Sequence, residues 1–92
     1  MDKITYCIAN WKMNKNRYEC ETFMNYLESN INKSKLVQTI ICPPFILLDS
    51  IKSIIQDNTI EIGSQNLSCE ENGSFTGEIS ASMLKDIGCR WS

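Results

Sequence analysis

The chain contains no histidine. A His-containing metal site is therefore excluded. Its five cysteines, Cys7, Cys20, Cys42, Cys69 and Cys89, form no CxxC pair. An odd count at wide spacing suggests neither a disulfide framework nor a zinc site. They are expected as reduced thiols, mostly packed as small apolar groups. Long runs of one charge sign are missing, and net charge is only -2. That argues against nucleic acid as a main partner, which would need a basic patch. No apolar run approaches the ~18 residues required to span a bilayer. The N-terminal "MDKITYCIANWK" lacks the basic region and long apolar stretch of a signal peptide. The expectation is a cytoplasmic protein without membrane or nucleic-acid partners.

What is present is ordinary globular material. Hydrophobic residues make up 42% and charged residues 22% of 92 positions. That length allows one small domain with a modest core, burying under ~70% of its unfolded surface. Two hydrophobic periods alternate along it. Ile4 to Ala9 is short, apolar and β-rich, and reads as a buried strand. From Arg17 to about Asn32 the period becomes helical, marked by Tyr18, Phe23, Tyr26, Leu27 and Ile31. Val37 to Cys42 is a second strand, stopped by Pro43-Pro44. A second helix is expected from Phe45 to about Gln56, closed by Asp57-Asn58, with Ile46, Leu47, Ile51, Ile54 and Ile55 inward.

Thr59 to Gly63 reads as a third, shorter strand. Residues 64–79 form a polar loop at a length where structureless loops are usually functional. Ser80 then has the character of an N-cap, and "ASMLKDI" of a short helix ended by Gly88. Cys89 to Ser92 opens a fourth strand. The order β-α-β-α-β-loop-α-(β) is an α/β class with parallel strands and crossover helices. Strand starts near residues 4, 37, 59 and 90 average close to the ~30-residue spacing of a (β/α)8 barrel of ~250 residues. Residues 1–92 would then be the incomplete N-terminal portion of one such barrel domain.

Three stretches are more specific. "IANWKMN" follows the first strand, "ICPPFILL" spans the end of the second, and "IGSQNLSCEENGSFTGEISASMLKDIGCRWS" runs on from the third. Together, in register from Ile8 to Gly88, they resemble triosephosphate isomerase. An isolated N-x-K would be a turn residue and a solvated lysine; the downstream motifs give it its meaning. The resemblance implies a partial TIM barrel. It further implies interconversion of dihydroxyacetone phosphate and glyceraldehyde 3-phosphate through an enediolate, in glycolysis and gluconeogenesis, without cofactor or metal. By the same resemblance Asn10 and Lys12 bind the triose phosphate and Lys12 takes part in catalysis. Met13, Gln65, Phe75, Thr76, Gly77 and Glu78 match positions at the family's homodimer interface.

The chemistry suits those residue types. Proton abstraction beside a carbonyl builds negative charge on oxygen, next to a phosphate dianion. A preorganised cation and a neutral amide donor stabilise it. Trp11 is expected to pack, and Asn14 and Asn16 to begin the first helix. Glu70-Glu71 is expected to be solvated rather than an acid-base pair.

The resemblance also implies a histidine and a base glutamate that these 92 residues lack, so the chain alone is expected to be inactive. The initial Met is expected of a true start. A stop four residues into a strand is expected of a partial or truncated reading frame. Raw strand edges and an uncovered apolar face make the chain at best marginally ordered. The rival expectation is a non-catalytic half-barrel binding or oligomerisation module that uses residues 65–78. An open flavodoxin-like phosphate binder ranks last, because no glycine-rich turn follows the first strand.

Overall fold

A computed structural model describes residues 3–31, 34–56 and 59–92. The elements are β1 (Thr5–Asn10), α1 (Arg17–Asn30), β2 (Val37–Cys42), α2 (Phe45–Ile54), β3 (Ile60–Ile62) and α3 (Ala81–Asp86). The strands form one parallel sheet in the order β1-β2-β3. Trp91 extends it by a parallel bridge to Gly63. The sheet is open. This is the α/β architecture of a partial barrel, with each strand returned by a crossover.

Local chemistry sets the element ends. Asn16 caps α1 by accepting the Glu19 N–H at 2.9 Å, and Glu19 Oε1 accepts the Asn16 N–H in return, a complete capping box. Pro43 and Pro44 end β2 and lead into α2. Ser80 accepts the Met83 N–H, and Gly88 ends the third crossover at φ +84°. α1 ends at Asn30 and α2 at Ile54, each two residues before the expected end; Asn32 and the closing Asp57-Asn58 themselves lie outside the described residues.

Register decides which face is covered. Ala9, Ile41 and Ile62 align across the sheet, as do Thr39 and Ile60. Their face packs on Cys20 and Met24 of α1 and on Leu47, Leu48 and Ile51 of α2. Strand alternation turns Tyr6, Ile8, Asn10, Ile40, Cys42, Glu61 and Gly63 to the other face. There the Trp91 ring meets Tyr6 edge-on at 5.8 Å and donates its Nε1–H to Glu61 at 2.6 Å.

Three expectations change. β1 is not buried: Ile4, Tyr6 and Ile8 are half-exposed or more, because β1 is an edge strand and the buried core centres on β2 and β3. In α1, Tyr18 and Tyr26 lie outside the core; the inward stripe is Cys20, Met24, Leu27 and Ile31, at helical spacing. In α2, Ile46 is 83% exposed while Leu48 is buried. The face set by Leu47 and Ile51 turns Ile46 outward by one residue step. Trp11 is buried, edge-on to Phe23 at 5.5 Å.

Candidate functional site

In parallel strands the C-terminal ends share one edge, and here three of them converge. β1 ends at Asn10, β2 at Cys42, and Gln65 follows just past β3. Trp11 continues the ladder by donating its N–H to the Cys42 carbonyl at 3.0 Å. The chain then breaks from extended geometry. Lys12 sits at φ +56°, a left-handed conformation that costs a non-glycine residue roughly 1–2 kcal/mol.

Both peptide groups of Lys12 have side-chain partners. Its N–H donates to Asn10 Oδ1 at 2.9 Å. Its carbonyl accepts from Gln65 Nε2 at 2.8 Å, and the same Nε2 reaches the Cys42 carbonyl at 3.0 Å. Because both acceptors are carbonyl oxygens, the amide orientation of Gln65 is chemically required. With Oδ1 of Asn10 engaged by the backbone, its NH2 is the end left to meet a ligand. Asn10 and Lys12 therefore lie together on one rim of the sheet.

The rest of the turn is built from the chain's own groups. Asn14 donates to the Trp11 carbonyl at 2.7 Å. Lys15, at φ +77°, holds its ammonium 5.4 Å from the Trp11 ring centroid and 5.0 Å from that of Phe23. Lys12 itself is solvent-exposed. In water a unit charge gains only about 1 kcal/mol at 4 Å, against several in a drier surround.

The remaining predicted residues lie elsewhere. Met13 is 94% exposed beside Lys12. Phe75, Thr76, Gly77 and Glu78 are exposed in the loop after β3. The loop is closed at its base by the Ser68 N–H to the Ile79 carbonyl at 2.8 Å, and turned at its tip by the Glu78 N–H to the Phe75 carbonyl at 3.0 Å. Gln65 is brought to the Lys12 turn of its own chain, which the sequence reading did not foresee. Nothing in the sequence signals that contact, since 53 residues separate the partners. Among the described residues, no group of three metal-ligating His, Cys, Asp or Glu side chains converges, and no helix is long and apolar enough to cross a membrane.

A family model described as triosephosphate isomerase matches residues 5–92. The triosephosphate isomerase of Lawsonia intracellularis is 46% identical over 84 residues, covering 90% of this chain and 33% of that protein. That of Nitrosococcus oceani is 38% identical over 84 residues, covering 91% of this chain and 34% of its own length. For Chlamydia muridarum the figures are 45% over 84 residues, 90% and 31%. The chain thus spans about a third of the length of the curated relatives it matches, in their N-terminal part.

Proposed function

Since the chain belongs to the triosephosphate isomerase family, we propose that its Asn10–Lys12 rim is the substrate-binding portion of a triose phosphate isomerisation site. The reaction is the interconversion of dihydroxyacetone phosphate and glyceraldehyde 3-phosphate, through an enediolate and without cofactor. The Lys12 ammonium offsets charge on the phosphate and on the oxygen that becomes anionic. The Asn10 NH2 donates to a substrate oxygen. The proton-abstracting carboxylate and a neutral histidine come from outside these 92 residues, which hold no histidine. A positioned general base is worth about 10²–10⁴-fold in such a step, so the 92 residues alone are expected to be inactive. The whole enzyme acts as a homodimer in cytoplasmic glycolysis and gluconeogenesis, with Met13 and the Phe75–Glu78 tip at the subunit contact.

The observation that carries this reading is the double anchoring of Lys12 at the C-terminal edge of a parallel sheet, where barrel active sites gather. The test is a chimera in which these 92 residues replace the matching segment of the Lawsonia intracellularis relative. The chimera is expected to isomerise, and Lys12→Ala to lower kcat/KM by about a hundredfold or more. The 92 residues alone are expected to give no turnover above a Lys12→Ala control. Full activity in the Lys12→Ala chimera would overturn the reading.

A second reading has one observation in its favour. Ile4, Tyr6 and Ile8 lie exposed along edge strand β1, as a half-barrel oligomerisation module would require. Size exclusion with light scattering separates the two. A discrete, cooperatively melting oligomer supports the module; a monomer or ill-defined aggregate removes it.

A further inference from the structure

We propose that Gln65 is a positioning residue for Lys12, holding the lysine's backbone in the conformation that aims its ammonium across the rim. The inference rests on the role given to Lys12 above. It goes beyond the interface position that resemblance suggests for Gln65.

Lys12 occupies a backbone region that lysine avoids, and such a residue persists only where its surroundings over-determine it. Two side chains do so here. Asn10 takes the Lys12 N–H from within the same turn. That bond is local, so it travels with the turn and cannot fix it to the sheet. Gln65 supplies the external reference. It is rooted just past β3, and its single NH2 bridges the Lys12 carbonyl and the Cys42 carbonyl at the end of β2. The Cys42 oxygen also takes the Trp11 N–H. One amide therefore ties the Lys12 peptide to two neighbouring strand ends.

The bond to the Cys42 carbonyl is part-buried while that to the Lys12 carbonyl is exposed, so water can solvate the Lys12 oxygen but does not reproduce the single amide that ties it to the end of β2. Without that amide the Lys12 peptide is free to rotate towards ordinary dihedrals. Its side chain would then leave from a different direction. A displacement of about 1 Å at a reacting group costs on the order of a hundredfold in rate.

The experiment uses the same chimera, with concentration of folded enzyme measured for each variant. Gln65→Met removes both donors at similar length. It is expected to lower kcat by about ten- to a hundredfold per folded molecule, where a merely structural loss would lower only the folded fraction. Gln65→Glu keeps the shape but, when ionised, has no donor and faces two carbonyl oxygens. When protonated it regains one O–H donor. Its activity relative to the unsubstituted chimera at the same pH is therefore expected to rise as pH falls through the carboxyl's titration.

If Lys12→Ala abolishes turnover while both Gln65 variants keep full kcat, the positioning role is wrong and the functional reading stands. If Lys12→Ala itself has no effect, the functional reading fails first. Should Gln65→Met not fold, the pH-dependent ratio of Gln65→Glu decides. Should the chimera itself be inactive, amide hydrogen exchange on the 92-residue chain decides. Faster exchange at the Lys12 N–H in Gln65→Met, with α2 protection unchanged, supports the role; equal exchange overturns it.

Discussion

Gly63 and Trp91 pair as parallel neighbours, and the Ser64 N–H donates to the Trp91 carbonyl at 2.8 Å. The closeness depends on the missing side chain at 63. A Cβ there would stand 2.8 Å from Cys42 Sγ, 3.1 Å from Trp91 Cβ and 3.2 Å from Ile40 Cγ2. Gly63→Ala is expected to displace Cys42 Sγ, to press Trp91 outward and to destabilise the fold by about 1–3 kcal/mol, as overpacking does. Amide hydrogen exchange at Ser64 should accelerate more than that at Leu48. Unchanged protection at Ser64 would show that the contact is not tight.

The two isoleucines of α2 should separate cleanly. Ile51 is fully buried against the sheet, and Ile46 stands in solvent. Ile51→Ala is expected to cost about 2–5 kcal/mol through lost contact and a residual cavity. Ile46→Ala should stay within about 0.5 kcal/mol. Denaturant midpoints measure both, and equal losses would contradict the described orientation of α2.

At the start of α1, the reciprocal bonds between Asn16 and Glu19 satisfy two peptide donors that the helix leaves open. Asn16→Ala is expected to cost about 0.5–2 kcal/mol. Asn16→Asp keeps the acceptor and adds a negative charge at the positive end of the helix, so it should restore most of that loss. Thermal melts of the two variants provide the comparison.

Thiol titration gives the fold a pH dependence of known sign. Burial pushes the Cys20, Cys42 and Cys89 thiols up. At Cys20 the charge of Glu21 adds to burial and Lys15 opposes it; at Cys42 the neighbouring Cys89 adds. At Cys89 backbone hydrogen bonds at Trp91 and Ser64 work against burial. The folded chain therefore keeps these protons to higher pH than the unfolded chain, whose thiols ionise near about 8.5. Above that value unfolding releases protons, so stability falls as pH rises until the folded-state thiols ionise too. The melting midpoint should decline as pH rises past about 8.5, and less so in a Cys42→Ala variant. Alkylation at pH 8 should reach exposed Cys7 and Cys69 well before the other three.

Much of the scaffold was legible because its signals are local. "VQTIIC" before Pro43-Pro44 is strand β2 to the residue, since proline ends a ladder by lacking a donor. Ser80 and Gly88 bracket α3 for equally local reasons of capping and left-handed backbone. Phe45 begins α2 as expected, although that helix ends at Ile54 rather than Gln56. Asn10 and Lys12 were readable as a pair at a strand's end, because alternating strands and helices imply a parallel sheet and hence a common C-terminal edge.

What the sequence by itself determined, then, is the order of elements, their caps and the family that the motifs belong to. These follow from dihedral preferences and hydrogen bonds within a few residues. Only the tertiary structure decided that β1 lies exposed while β2 is buried, that Ile46 faces water, and that Gln65 reaches the Lys12 carbonyl. Apolar composition states what a segment can bury but not whether a neighbour covers it. A bond between residues 53 positions apart depends on the register and crossover geometry of the folded sheet, which no nearby residue encodes.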